Sequence, residues 1–286
     1  MKADLAILSP KEFPPLLSEI PDAPKKLYVR GKLPSFDAAW LAVVGSRACT
    51  SYGRQALRHL MEGLRGYPIL IVSGLAYGID AEAHKAALEA GLTTVAVPGS
   101  GLGWNVLYPR ANVSLAREIV KKGGALLSEF EPDMRATDYT FPQRNRIMAG
   151  LCHATLVVEA KERSGSLITA RLATEYNREL LVVPGSIFSA ESRGTHQFLK
   201  LGATPVTEPA DILRALGIKD EAREAVASHA DVSEAERRVL EALRTPISRD
   251  ELLATLDLPI TEANILLSTM EIKGLIVEEL GTVRAR

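Results

Sequence analysis

Short apolar segments alternate with segments of helical periodicity from about residue 40 onward. Six of the apolar segments are almost continuously hydrophobic and lack the polar alternation of a half-exposed strand. Runs of this kind are typical of strands covered on both faces, so they predict a parallel sheet with helices on each side. The predicted strands lie at residues 39–46, 68–74, 93–100, 125–130, 154–160 and 179–186, with a short last strand at 204–207.

Between the predicted strands, hydrophobic residues recur at helical spacing, and several segments end at a glycine, as helix C-caps do. The helical segments include residues 53–66, 80–91, 114–124 and 164–179. Alternating strands and helices predict an α/β fold, here an extended Rossmann-like, doubly wound and mainly parallel sheet over residues 40–216. Ligands of such folds bind at the carboxyl ends of the strands, so we sought functional residues in the loops there.

The segments on either side of this domain have different patterns. Residues 1–39 are punctuated by prolines and predict an N-terminal lead-in segment that packs on the next domain without being a domain itself. Residues 217–232 are small and polar, which is typical of a linker. Residues 233–286 predict a helix, a short helix, a longer helix and two strands round a turn. That order indicates a small C-terminal winged-helix domain.

Composition narrows the kind of protein and of site. The chain has 286 residues, of which 47% are hydrophobic, and a formal net charge of −1, so any anion site must be local. Its two cysteines, Cys49 and Cys152, lie in neither a CxxC nor a Cys/His spacing, and we expect neither a disulfide scaffold nor a metal or cofactor. No export segment and no apolar run of about 18 residues occurs, which predicts a cytoplasmic protein without a membrane span.

The loop after the first predicted strand, "GSRACTS", resembles a phosphate-binding turn. Gly45 permits a tight turn, the following helix offers amides at its start, and Arg47 next to Ser46 adds a cation whose fork suits phosphate oxygens. A nicotinamide cofactor is disfavoured because GxGxxG is absent and the second strand ends in "IVSG" instead of an acidic residue. The alternative for Arg47 is an ordinary surface ion pair.

Two later loops add cations and aromatic rings. The loop after the third strand, "GSGLGWNVLYPRAN", is rich in glycine and carries Tyr108 and Arg110; long loops of this kind are usually functional. The segment after the fourth strand contains "FPQRNR", in which the proline suits a helix start. Arg144 and Arg146 then lie near that start, where cations oppose the helix dipole, so we infer an anion partner nearby, with Asn145 between them. The alternative is a pair of simply exposed arginines.

The loop after the fifth strand, "KERSGS", predicts a second helix-start anion site. Ser164 or Ser166 can cap the helix, and Gly165 lets an anion approach the backbone closely. Lys161 and Arg163 flank this turn with positive charge.

Together these loops combine cations with aromatic rings, the two requirements of a groove for single-stranded nucleic acid. A single mononucleotide would need fewer cations. Catalytic motifs such as GxSxG, HExxH or GxxxxGK[ST] do not occur, and caps or ion pairs account for Asp80, Glu129 and Glu159. The aromatic residues of these loops are Tyr52, Tyr77, Trp104, Tyr108, Tyr139 and Phe141.

The predicted winged helix favours a protein contact or a regulatory role over duplex DNA. Residues 231–286 contain 7 basic and 11 acidic side chains, a net of 7 − 11 = −4, whereas residues 40–212 contain 18 basic and 16 acidic side chains, a net of +2. Binding to a phosphate backbone needs the opposite sign from that of the tail.

Several of these segments, in order, resemble the signature blocks of the DNA-processing protein A (DprA, or Smf) family. The blocks are "GSRACTSYG", "SGLAYGIDAEAHKAAL", "GSGLGWNVLYPRAN", "GALLSEFEP", "FPQRNRIMAGL", "VVEAKERSGSLITARLA" and "VVPGSIFSAESRGTHQFLKLGA". The resemblance covers about residues 10–212, and the tail is similar to the winged helix that many members carry. It implies a homodimer without catalytic activity that binds and protects incoming single-stranded DNA. It also implies hand-over of the strand to the RecA recombinase in natural transformation.

The resemblance and the loop chemistry together predict a nucleic-acid site. A nucleotide-binding or nucleotide-hydrolysing Rossmann-like enzyme is the alternative, and its "PGGxGT"-type loop with a catalytic glutamate is not found. The predicted nucleic-acid-binding residues are Ser46, Arg47, Tyr108, Arg110, Arg144, Asn145, Lys161, Arg163, Gly165 and Ser166.

Overall fold

A computed structural model describes residues 5–219, 233–243, 247–256, 258–273, 275–279 and 282–285 of the chain, except for the side chains of residues 272, 279 and 285. The backbone divides into two compact units, residues 1–220 and 221–286.

A nine-stranded sheet forms the centre of the first unit, in the order β1-β2-β6-β5-β4-β3-β7-β8-β9. Strands β3 to β9 pair in parallel, which confirms the predicted mainly parallel sheet. The strands are β1 (Leu5–Leu8), β2 (Leu27–Gly31), β3 (Ala39–Val44), β4 (Ile69–Ser73), β5 (Thr93–Ala96), β6 (Ala125–Ser128), β7 (Ala154–Val157), β8 (Glu179–Val182) and β9 (Thr204–Pro205).

Helices cover both faces of this sheet, as continuous apolar strands require. Successive residues of a strand point to opposite faces, so Trp40 and Ala42 belong to one buried cluster while Leu41 and Val43 belong to the other. The helices are α1 (Pro15–Ser18), α2 (Ser51–Gly63), α3 (Ile79–Glu89), α4 (Val113–Lys121), α5 (Thr140–Leu151), α6 (Ser166–Glu175), α7 (Arg193–Lys200) and α8 (Pro209–Ala215).

The lead-in segment contributes two strands whose pairing with the sheet its sequence pattern did not predict. Strand β2 pairs antiparallel with β6, and β1 pairs antiparallel with β2, so residues 5–31 extend one edge of the sheet. Phe13, Leu17 and Ile20 are buried in the same cluster as Trp40. The segment therefore belongs to the core of the first unit as well as to its edge.

The sheet order reverses between β3 and β7. From β3 the chain proceeds through β4, β5 and β6 to one side, and from β7 through β8 and β9 to the other. The loops that leave the carboxyl ends of β3 and β7 therefore diverge and leave a crevice, the usual ligand site of an open α/β sheet.

The second unit has the predicted winged-helix elements. A three-stranded sheet in the order β10-β12-β11 packs with three helices around Val239, Leu252, Leu267 and Val283. The elements are α9 (Glu234–Ala242), β10 (Ile247–Ser248), α10 (Arg249–Thr255), α11 (Ile260–Ile272), β11 (Ile276–Glu279) and β12 (Thr282–Ala285).

A buried histidine lies beneath the β4 and β5 strands. His84 is fully buried, and its Nδ1 lies 2.7 Å from the Thr94 hydroxyl, which itself donates to the Ile71 carbonyl. Because the hydroxyl proton is already used, we assign the donor in this contact to His84 Nδ1–H, the neutral tautomer. Burial lowers the pKa of His84 from its usual 6.5 to about 3.

We expect His84 to make the first unit less stable in acid. Between about pH 6.5 and pH 3 the unfolded chain binds a proton on His84 that the native state excludes, so the free energy of unfolding falls with decreasing pH by about 1.4 kcal/mol per unit. Urea titrations at several pH values measure this slope. His84→Gln should flatten the wild-type profile below pH 6.5, and an unchanged difference between the two proteins across that range would contradict the assignment.

Candidate nucleic-acid interface

A cavity of about 490 Å³ opens where the loops after β3 and β7 diverge. We call it the cationic cavity. The start of α5 forms its third wall. The predicted residues that line the cavity are Ser46, Arg47, Arg144, Asn145, Lys161, Arg163, Gly165 and Ser166. Tyr108 and Arg110 lie outside this lining.

The β3–α2 loop presents Arg47 to solvent at the mouth of the cavity. Ser46 is buried, and its hydroxyl accepts a hydrogen bond from the Ala48 amide, which shapes the turn. The loop passes directly over Gly78, whose φ of 72° and close backbone contact leave no space for a Cβ atom. The Ile79 amide donates to the Ser46 carbonyl at 3.0 Å, so the β4–α3 turn fixes the position of Arg47.

The start of helix α2 is already occupied by a carboxylate, contrary to the expectation that its amides would serve a phosphate. Glu159, at the end of β7, accepts hydrogen bonds from the Thr50 amide at 2.8 Å and from the Thr50 hydroxyl at 2.6 Å. The same hydroxyl caps the helix by accepting from the Gly53 amide. An internal anion thus lies where a Rossmann dinucleotide would put its pyrophosphate.

Arg144 is buried at the back of the cavity and ties the loops after β4 and β5 to helix α5. Its guanidinium donates to the carbonyls of Gly74, at 2.5 Å, and of Val97. Asp80 lies close by, accepting from the amides of Gly74 and Ala76. Burial raises the pKa of Asp80 and lowers that of Arg144 to about 10, each shift being opposed by the other's charge. The buried Arg144 therefore has internal partners for its charge.

Asn145 and Arg146 face different neighbours from the same helix. The Asn145 amide accepts from Arg144 Nε at 3.2 Å and donates to the Gly165 carbonyl at 3.4 Å, linking α5 to the start of α6. Arg146 forms ion pairs with Glu129 and Asp22 and is not part of the cavity lining. Its position near the helix start is thus explained by carboxylates of this chain.

The β7–α6 loop carries exposed cations and an exposed glycine. Arg163 is exposed and forms no hydrogen bond or ion pair with the described residues. The Gly165 amide likewise has no acceptor within them, and a Cβ at Gly165 would meet nothing within 4 Å. Lys161 is exposed but pairs with Glu191 at 3.1 Å. Three groups of this cavity can therefore bind phosphates of a single nucleic-acid backbone: the amides at the start of α6, the Arg163 side chain and the Arg47 side chain.

Aromatic rings adjoin Arg47. The Arg47 guanidinium lies 5.1 Å from the centre of the Phe141 ring, and the Tyr108 ring lies 5.8 Å from Phe141 in a tilted arrangement. Tyr108, Tyr77 and Phe141 line a smaller cavity that Arg47 also borders. Tyr77 and Tyr108 are 45% and 42% exposed, which leaves ring surface on which a base can stack.

Trp104 and Arg110 behave differently from the other loop residues. The Trp104 ring lies between the guanidinium groups of Arg30, at 4.7 Å, and Arg117, at 4.6 Å. A half-buried ring in these contacts is a poor platform for a base. Arg110 is exposed and donates to the Trp104 carbonyl at 2.8 Å, so it stabilises its own loop.

Sequence reasoning missed the acidic side chains of the cavity. Its lining contains four cations, Arg47, Arg144, Lys161 and Arg163, and two carboxylates, Asp80 and Asp138. The sequence indicates only a cap or an ion pair for Asp80. Its proximity to Arg144 depends on a tertiary contact between residues 64 positions apart. The net positive sign of the lining still favours an anionic ligand.

No group of three or more His, Cys, Asp or Glu side chains among the described residues could hold a metal ion. Nor is any helix in the described part of the chain long and apolar enough to cross a membrane.

A Rossmann-like sheet with a cationic cavity at its switch point, and a separate winged-helix unit, define an α/β protein of two compact units. The DNA recombination-mediator protein A family model matches residues 4–217, and the DprA winged-helix model matches residues 223–281. The chain belongs to the DNA recombination-mediator protein A family, as the resemblance of its sequence blocks predicted.

Named relatives support this membership. The chain is 47% identical to protein Smf of Escherichia coli over 204 residues, which is 71% of this chain and 54% of that protein. It is 45% identical to DNA processing protein DprA of Streptococcus pneumoniae over 201 residues, 70% of each chain. The match thus spans about half the length of the Escherichia coli relative.

Solved structures of the family share the fold. DNA processing protein A from Streptococcus pneumoniae superposes with a TM-score of 0.67 at 41% identity, covering 74% of both chains. DNA processing protein A from Helicobacter pylori, a structure that gives insight into that protein's single-stranded DNA binding mode, has a TM-score of 0.66 at 31% identity. It covers 74% of this chain and 95% of that one.

Proposed function

We propose that this protein binds single-stranded DNA in the cationic cavity. The observation that carries the proposal is the open α6 start, where Arg163 and the Gly165 amide, which has no acceptor among the described residues, line the same cavity as Arg47. Backbone amides and exposed guanidinium groups suit successive phosphates, and the neighbouring Tyr108 and Phe141 rings suit bases. Phosphate contacts of this kind give affinity without sequence preference.

The family supports the same ligand and a wider role. The Helicobacter pylori relative binds single-stranded DNA, and the Streptococcus pneumoniae relative is named a DNA processing protein. We infer that this chain, as a cytoplasmic homodimer, protects incoming single-stranded DNA and loads the RecA recombinase onto it during natural transformation. In this proposal Lys161 contacts the DNA at the outer rim of the cavity. Arg110 stabilises its own loop, and buried Arg144 supports the cavity wall without touching the DNA.

Two alternatives find less support. A nucleotide-hydrolysing enzyme would need a free helix start after β3, whereas Glu159 occupies that of α2. A duplex-binding winged helix would need a cationic surface, yet this unit is net negative, and two of its cations are paired: Lys273 with Glu236 at 2.7 Å, and Arg249 with Glu278 at 2.6 Å. Ile260 and Ile265 on α11 are 72% and 63% exposed, which fits a protein contact.

We expect the protein to shift single-stranded DNA in a gel at concentrations that leave the same sequence as duplex unshifted. A flexible strand can bring its bases onto Tyr108 and Phe141, whereas paired bases are stacked inside the duplex. With RecA present, the protein should also speed assembly of RecA filaments on strands precoated with single-strand-binding protein. Equal affinity for duplex would contradict the proposed ligand, and no effect on RecA assembly would contradict the loading role alone.

A further inference from the structure

A second cavity of about 390 Å³ adjoins the cationic cavity but has a different chemical character. Thr50 and Tyr52 form one side, Glu159 lies at its base, and the β8–α7 loop closes it with Ser186, Ser189 and Ser192. None of its described lining residues is a lysine or arginine. It is therefore unsuited to a phosphate and suited to an uncharged polar group.

Its polar groups offer both kinds of hydrogen bond. The Glu159 carboxylate is 2% exposed and has lone pairs beyond those used by Thr50. Ser192 is 4% exposed, and its hydroxyl makes no hydrogen bond within the described part of the chain. The hydroxyls of Ser186 and Ser189 accept from backbone amides and so keep their own protons free to donate. All three serine hydroxyls of this cavity can therefore donate a hydrogen bond to a ligand.

The Tyr52 ring gives the cavity a flat aromatic wall. Its hydroxyl donates to the Pro184 carbonyl at 2.5 Å, which fixes the ring against the β8–α7 loop, and 49% of the residue remains exposed. A fixed ring beside a polar pocket suits a planar heterocycle that stacks on one face and hydrogen-bonds along its edge. The exposed Ile187 and Phe188 side chains lie on the same loop.

Residues two positions apart in the sequence line the two cavities. Ala48 lines the first and Thr50 the second, and Lys161 lines the first while Glu159 lines the second. Two residues of extended chain span at most about 7 Å, roughly the distance between neighbouring phosphates. A strand whose phosphates lie in the cationic cavity can thus put an adjacent base into the second.

We propose that the second cavity is a nucleobase subsite in which one base of the bound strand stacks on the Tyr52 ring. The exocyclic amine of that base donates a hydrogen bond to the Glu159 carboxylate, and the Ser192 hydroxyl donates one to a ring nitrogen or carbonyl of the base. This inference rests on the proposed binding of single-stranded DNA. Among the pyrimidines, cytosine offers an amine where thymine offers a carbonyl, so the subsite favours cytosine.

Fluorescence anisotropy with three labelled strands of equal length tests the subsite: oligo-dC, oligo-dT and an abasic strand that keeps the phosphates. Wild-type protein should bind oligo-dC about tenfold more tightly than oligo-dT, as expected for a hydrogen bond to a charged acceptor. Tyr52→Ala should weaken oligo-dC binding about tenfold and Ser192→Ala about threefold, both leaving the abasic strand unchanged. Ser114→Ala, an exposed serine on α4, is the matched control.

The outcomes separate the two proposals. Failure of wild-type protein to bind any of the three strands would overturn the proposed function. If the wild-type protein binds oligo-dC and oligo-dT with equal affinity, the subsite alone is overturned. The same holds if both variants lose as much affinity for the abasic strand as for oligo-dC. Thermal melting of Ser192→Ala should match wild type, because this hydroxyl has no partner to lose among the described residues.

Discussion

Replacing Arg144 with methionine should lower the free energy of unfolding of the first unit by about 3–5 kcal/mol. The side chain is 4% exposed and donates to the Gly74 and Val97 carbonyls while facing buried Asp80. Removing one member of a buried charged pair leaves the other uncompensated, which costs more than the pair contributes when intact. Urea unfolding followed by tryptophan fluorescence measures this change, because both tryptophans, Trp40 and Trp104, lie in the first unit.

Asp80→Asn provides the matched test of this explanation. Arg144→Met combined with Asp80→Asn should recover part of the lost stability, since no buried carboxylate is then left without a cation. Additive losses in the double variant would show that Asp80 and Arg144 do not act together. A loss below about 1 kcal/mol for Arg144→Met alone would place it among ordinary surface arginines.

Replacing both Arg47 and Arg163 with alanine should weaken binding to oligo-dT about 100-fold near 0.1 M salt. Both side chains are exposed at the cationic cavity, and each charged hydrogen bond to a phosphate contributes about 1.5 kcal/mol or more. For roughly four to six phosphate contacts, log affinity should fall with log salt concentration at a slope of about −3 to −4 in wild type. The double variant should reduce the magnitude of that slope by about 1.4.

A second double variant controls for the general loss of positive charge. Lys121→Ala with Lys122→Ala removes two exposed cations at the end of α4, outside the lining of the cationic cavity. It should change affinity by less than about threefold and leave the salt slope near that of wild type. Equal effects of the two double variants would mean that binding depends on overall charge and not on the cavity.

The sequence predicts the strands best where their pattern is most extreme. Strands such as β3 and β4 are buried on both faces, so each reads as an unbroken apolar run and reveals its pairing class. Strand β2 follows several prolines and ends at exposed Gly31, and its partner β6 lies about 100 residues away. Nothing local indicates that such a segment joins the sheet.

The residues of the site are likewise predictable from the local sequence, whereas their partners depend on tertiary contacts. Arg47, Arg163 and Gly165 are predictable because each follows a strand end, and a parallel sheet gathers such loops at one edge. The partners of the site are not predictable in this way. Glu159 caps α2 across 109 residues, and Asp80 reaches Arg144 only because the β4–α3 turn and α5 pack together. The cations near helix starts therefore predicted an anion site. The carboxylates of this chain that pair with some of those groups, Glu159 and Asp80, are seen only in the structure.

Hydrogen–deuterium exchange of the full chain with and without oligo-dT tests the proposed DNA site most directly. The amides around Gly165 and Ser166 at the start of α6, and those of the Ser46–Arg47 turn, border the cationic cavity. Bound phosphates should slow exchange in peptides covering residues 44–48 and 161–168, and leave those covering 233–243 unchanged. Protection confined to the winged helix, with no change in the two loops, would contradict the account.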